Sequence, residues 1–166
     1  MDIFEFALEK EKSSLDYYDR LKHKTKNKGL SNIFSMLVDE EKKHVEIIKQ
    51  MRQQTPQTIT ETNVLGDARA IFEQMRASSQ TFEEDITELE LYEKARDIEK
   101  KAKQFYLEKA EEVTNASHRE IFQKLAAEEQ KHFILLERIC DFVARPKWFL
   151  ENAEMYHFDD YVDGVL

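Results

Sequence analysis

Residues 34–51 read FSMLVDEEKKHVEIIKQM. Apolar residues recur every three or four positions, at Phe34, Leu37, Ile48 and Met51, which is the rhythm of one buried face of a long helix. Two places in that seam are not apolar. Glu41 and His44 stand where the rhythm asks for hydrophobic side chains. Eighty-eight residues later the pattern returns, as FQKLAAEEQKHFILLERI at 122–139. Phe122, Leu125, Leu136 and Ile139 keep the seam, and Glu129 and His132 fill the same two places.

The repetition extends outward. Shifting the chain by 88 residues lays 3–52 over 91–140 without a gap, and thirteen of those fifty positions are identical. Composition alone would give about three or four. The identities include Glu5/Glu93, Ala7/Ala95, Glu11/Glu99, Tyr18/Tyr106, Asn27/Asn115 and Glu40/Glu128. Two copies do not make a solenoid; they predict two related halves of one bundle. Each half reads as a helical hairpin. In the first, Phe4, Leu8, Leu15 and Tyr18 recur at helical spacing. A break follows near Asn27-Lys28-Gly29, where glycine or asparagine can end a helix in the left-handed conformation, and Ser31 is a candidate cap for the return helix. In the second, Tyr92, Ala95, Tyr106 and Val113 lead to a turn near Asn115-Ala116-Ser117.

Between the halves, Gln53 to Thr62 is polar, threonine-rich and interrupted by Pro56, so it reads as a loop. A weaker helix is expected from about Asp67 to Ser78, with Ile71, Phe72 and Met75 on one side. This connection is too long for a tight hairpin and suits a crossover that travels the length of a bundle. Arg145-Pro146 stops the last long helix. Beyond it Trp148, Phe149, Met155 and Phe158 predict a short amphipathic tail, a flap docked on the bundle or on a second copy. The whole chain, 1–166, is expected to be one domain with a tail segment from about residue 146.

Composition agrees. Three glycines and two prolines in 166 residues cannot punctuate many short strands, so the fold class is all-α. A net charge of −9 argues against nucleic acid as a partner. One cysteine excludes a disulfide framework and a cysteine-based metal site. The N-terminus has no basic and apolar leader pattern, and no apolar run is long enough to span a membrane, so a cytoplasmic protein is expected.

The chemistry lies in the seam. Glu11 falls between Leu8 and Leu15, and Glu99 between Ala95 and Tyr106. Four carboxylates and two imidazoles thus occupy core positions with no lysine or arginine in the seam. A buried carboxylate without a partner neutralises or finds a cation, and four together repel one another. Two divalent ions would cancel four carboxylate charges, and two histidines would complete their coordination. Glu11 lies about 17 residues before its turn, roughly 26 Å, and the Glu41/His44 pair about 12 to 16 after it, roughly 19–23 Å, a mismatch within the reach of glutamate side chains and helix stagger. The gapless repeat puts Glu99, Glu129 and His132 at the same level. One glutamate from each of two helices plus Glu-x-x-His from each of two others is the known ligand pattern of ferritin-like di-metal carboxylate proteins, so the match is to a described arrangement.

Glu-x-x-His alone says little. Chance gives about 0.7 such pairs in a chain of this composition, and three occur. Glu154/His157 has no repeat partner and no long apolar stripe, and it reads as accidental. Glu40, Lys43, Glu128 and Lys131 read as a solvated charged face. Tyr18 and Tyr106, seven residues after their glutamates, are either core aromatics or hydrogen-bond partners of the ligand carboxylates.

Taken together, Ala7-x3-Glu11-x6-Tyr18, Glu41-x2-His44, Ala95-x3-Glu99-x6-Tyr106 and Glu129-x2-His132 make the chain resemble the rubrerythrin family of the ferritin-like superfamily, over roughly 3–143. The resemblance implies an up-down-down-up four-helix bundle with a non-haem di-iron centre. Glu41 and Glu129 would bridge the irons, Glu11, Glu99, His44 and His132 would be terminal ligands, and Tyr18 and Tyr106 would hydrogen-bond near the centre. Members with a rubredoxin domain hold a further iron on paired cysteines. Here Cys140 is the only cysteine, so an external electron-donor protein is expected. Such members also carry an extra glutamate three residues after the third bundle helix's ligand, a position filled here by Ala102. That implies a more symmetric, bacterioferritin-like centre.

The expected function is therefore a redox enzyme that reacts two ferrous ions with hydrogen peroxide or dioxygen, with Glu41, Glu129, Tyr18 and Tyr106 as its catalytic residues and a homodimer as its assembly. Carboxylate and imidazole donors suit iron, with manganese or zinc as possible occupants. The alternatives are an iron-binding or storage protein and a structural helical module holding a non-redox metal.

Overall fold

A computed structural model describes residues 2–55, 57–78 and 80–151. Its helices are α1 (Ile3–Lys24), α2 (Lys28–Arg52), α3 (Val64–Ala77), α4 (Ile86–Glu112), α5 (Ala116–Ala144) and α6 (Pro146–Glu151). The four long ones, α1, α2, α4 and α5, form the bundle. α1 packs on α2 and α4, and α5 packs on α4 and α2. Tyr17 at the far end of α1 meets the start of α4 through a bond to the Leu91 carbonyl (2.8 Å), while Phe4 meets His118 at the start of α5. The order is up-down-down-up, as expected of a ferritin-like bundle.

Local chemistry sets the helix ends. Asp2 and Glu5 form a reciprocal capping box on α1, the Asp2 carboxylate accepting from the Glu5 amide at 2.8 Å. The repeat-related Asn27 and Asn115 cap α2 and α5, each accepting from the amide three residues on. Ser31 is not the cap. It lies inside α2, and its hydroxyl donates back to the Lys22 carbonyl (2.9 Å), tying α2 to the end of α1. Nor does Gly29 end a helix. It lies inside α2 beneath the crossover helix, where an added Cβ would meet the side chains of Met75 and Ile71 of α3. Among the described residues, the left-handed non-glycine one is Gln54 (φ 58°), at the opposite end of α2.

The crossover climbs the α2/α5 face. The strap 57–63 lies against the middle of that face, and α3 packs on α2, α5 and α6 up to the Gly29 end. Phe72 is fully buried between Phe142 and Phe149, with ring centroids 5.1 and 5.2 Å away. α6 starts at Pro146, where a missing N–H costs nothing. Its Phe149 is docked on the bundle, while Trp148 is exposed, with the Arg145 guanidinium 3.9 Å from its ring. Pro56, Met155, Phe158 and the Glu154/His157 pair lie outside the described residues.

The apolar core comes in two pieces. One surrounds Tyr18, Phe34, Leu37, Leu136 and Phe149, and the other surrounds Leu8, Ile48, Met51, Tyr106 and Phe122. A polar layer separates them.

Candidate metal centre

That layer is made of Glu11 from α1, Glu41 and His44 from α2, Glu99 from α4, and Glu129 and His132 from α5. All six are buried. Leu15 is only half-buried, and the buried neighbour of Glu11 on the α1 seam is Ser14.

The two imidazoles lie nearly parallel, 5.7 Å apart with 13° between their planes. Around them the carboxylates divide their oxygens. Glu41 offers Oε2 to His44 Nδ1 (3.7 Å) and Oε1 to His132 Nδ1 (3.3 Å). Glu129 offers Oε1 to His44 Nδ1 (2.9 Å) and Oε2 to His132 Nδ1 (3.6 Å). Glu11 approaches only His44 (3.5 Å), and Glu99 only His132 (3.7 Å). Two overlapping sets result, Glu11-Glu41-His44-Glu129 and Glu41-Glu99-Glu129-His132, each with its donor atoms within 4.8 Å of one another. Glu41 and Glu129 belong to both.

Most of these atoms have no hydrogen-bond partner. Both oxygens of Glu41, Oε2 of Glu11 and Glu99, Oε1 of Glu129, and both ring nitrogens of each histidine are buried and unsatisfied. Orphaned polar atoms at this density are costly unless an ion supplies the missing contacts. Two divalent cations fit the donor set in charge and number. The other oxygen of each terminal glutamate is held across the bundle: the Tyr18 hydroxyl of α1 donates to Glu99, and the Tyr106 hydroxyl of α4 donates to Glu11. The tyrosines are therefore hydrogen-bond partners of the carboxylates, the second of the two alternatives left open by sequence.

Protons are the alternative to cations in balancing the charge of this layer. Burial pushes the Glu41 carboxyl up, the neighbouring Glu11 charge pushes it further, and it reaches about 8. Glu11 is also raised by burial, but the close approach of the Glu41 carboxyl and the charge of His44 outweigh this and hold it at about 2. Burial and the Glu129 charge raise Glu99 well above the usual carboxylate range. Burial disfavours charge on His44, yet Glu11 beside it holds the imidazolium well above its ordinary value. His132 is raised against the same burial cost by the Glu129 carboxylate beside it.

The charged face corrects one expectation. Lys43 is exposed and Glu40 half-buried, but Glu128 and Lys131 are only 4% and 9% exposed. The strap covers them: the Thr62 amide donates to Glu128 (3.2 Å), its hydroxyl donates to Glu40 (2.9 Å), and Lys131 pairs with Glu61 (2.6 Å). Sequence reasoning missed these residues, although the identity of Glu40 and Glu128 across the repeat was a signal.

Fold and layer together define a ferritin-like helical bundle with a buried carboxylate–histidine cluster that could hold metal ions. The family model described as Rubrerythrin matches residues 2–140, and the chain belongs to that family. No curated protein and no solved structure matches. Among the described residues, no helix is long and apolar enough to cross a membrane.

Proposed function

We propose that the protein is a non-haem di-iron oxidoreductase, a rubrerythrin-like peroxidase or ferroxidase. The observation that carries this reading is the pair of four-donor sets sharing Glu41 and Glu129. Carboxylate and imidazole donors without thiolate suit iron. Two ferrous ions held there would supply one electron each, so that one hydrogen peroxide and two protons give two waters.

The chain's own part is to hold and orient. Glu41 and Glu129 span the two positions, while Glu11 with His44 and Glu99 with His132 complete one position each. Tyr18 and Tyr106 fix the terminal glutamates through Oε1 and leave Oε2 of each without a hydrogen-bond partner. The two apolar clusters exclude water from both ends. We assign electron supply to a separate donor protein, and the working form to a homodimer in the cytoplasm.

Stopped-flow oxidation of the anaerobically ferrous-loaded protein tests the proposal. The expected result is oxidation by peroxide or dioxygen well above the rate of free ferrous iron. An unaccelerated rate would remove the activity, and a shell-sized assembly that deposits mineral would move the reading to iron storage.

A further inference from the structure

Beside the dinuclear layer lies a third cluster of donors, Glu40, His44 and Glu128, whose ligand atoms all fall within 4.8 Å of one another. It opens on a cleft of about 360 Å³ between α2, α5 and the strap, walled in part by Thr58, Ile59 and Thr60. His44 links cleft and layer. Its Nδ1 faces Glu11, Glu41 and Glu129, whereas its Nε2 is buried and bonds to nothing, and the ring itself lines the cleft. Thr62 holds both carboxylates in place from above.

We propose that Glu40, Glu128 and His44 Nε2 form a receiving site for divalent cations on the loading route of the dinuclear centre. This rests on the dinuclear reading given above. An arriving cation displaces a proton from the His44 ring, which then offers one lone pair, at Nε2 or at Nδ1 but not both. A cation on Nε2 is therefore held before the inner position is filled, and the cluster is a stage on the way in. The next donors inward are the adjacent residues of the same two helices, Glu41 and Glu129. A cation can thus be passed from one carboxylate pair to the next without crossing the apolar clusters.

The test is anaerobic stopped-flow loading of the metal-free full chain with cobalt(II), followed by its visible absorption, with stoichiometry from calorimetry. Glu40→Gln with Glu128→Gln keeps the size of both side chains and an oxygen for Thr62. The expected result is loading slowed at least tenfold with two ions per chain still bound at the end. Exposed Glu90→Gln with Glu111→Gln removes the same charge elsewhere and is expected to load within twofold of wild type. If the buried double variant does not fold, as read by circular dichroism, the half-buried Glu40→Gln alone carries the same test. Equal loading of wild type and the E40Q variants, or equal slowing in the E90Q/E111Q control, overturns the receiving site and leaves the dinuclear reading standing. Wild-type protein that binds fewer than two cobalt ions overturns the dinuclear reading, and the receiving site with it.

Discussion

Tyr18 of α1 donates its hydroxyl proton to Glu99 of α4, a residue 81 positions further along the chain. The repeat returns the same contact in mirror order, from Tyr106 to Glu11. Each half of the molecule thus supplies the brace for the other half's terminal carboxylate.

Removing one brace should weaken metal binding without abolishing it. Tyr18→Phe keeps the buried ring but leaves Glu99 without its donor. Loss of such an outer partner typically costs about 10–100-fold in metal affinity. Calorimetric titration with manganese(II) should show two ions per chain and an affinity reduced by that factor, with Tyr106→Phe behaving alike. Unchanged affinity in both variants would reduce the tyrosines to core packing.

The two classes of glutamate should separate by stoichiometry. Glu129→Ala removes a residue common to both donor sets, and binding should fall from two ions per chain to none. Glu11→Ala touches only the His44 set and should leave the His132 position able to bind. Peroxide-driven oxidation should drop at least about 100-fold in both, because one ion alone cannot deliver two electrons as a pair. Equal stoichiometries for the two variants would contradict the sharing of Glu129.

Stability of the metal-free protein should fall as pH rises from 5 to 9. Glu41 keeps its proton in the fold up to about 8, whereas its ordinary value is 4.5, so the folded chain binds more protons across that window. Raised Glu99 acts in the same direction. His44 and His132 contribute stability that is full below 6.5 and is lost as pH climbs through their elevated folded values. Glu11, held at about 2, works the opposite way, but only below 4.5. Thermal unfolding followed by circular dichroism should show the decline, and added manganese(II) should flatten it by replacing the protons. A Tm that rises over this range would contradict the buried acid layer.

Phe72→Ala should cost about 3–5 kcal/mol in urea unfolding, the usual loss for deleting a fully buried phenyl ring. The side chain joins the crossover helix to Phe142 and Phe149, so the variant should also expose 64–77 to proteolysis. A loss below 1 kcal/mol would mean that α3 is not packed as described.

Cys140 should be inert in the native state. Burial pushes its thiol up to about 12 and leaves it little exposed. A chromogenic disulfide reagent should titrate no thiol in buffer and one per chain in denaturant.

The bundle and its polar layer could be read from sequence because both rest on periodicity. Phe34 to Met51 and Phe122 to Ile139 mark their inner faces at helical spacing, and a gapless repeat carries Glu11 and Glu99 to one depth. Contacts that depend on the crossover carried no such signal. Lys131 and Glu128 look like ordinary surface residues of α5 until Glu61 and Thr62, 70 and 66 positions away, fold over them. Gly29 reads as a helix end by composition, yet it lies inside α2 beneath Met75 and Ile71 of the crossover helix. Ser31 and Asn27 are both good capping types, and the choice between them was made by the Lys22 carbonyl.

The strap spoils the twofold likeness of the halves. The inner donor sets match, three carboxylates and one imidazole each, yet Thr62 leans on Glu40 and Glu128, and those two group with His44 rather than His132. Any pair of ions held here therefore sits beneath unequal roofs. With the proposed receiving site as their one door, twin seats would fill in order, and a protein built by doubling a hairpin would hold two positions alike in ligands and distinct in exchange.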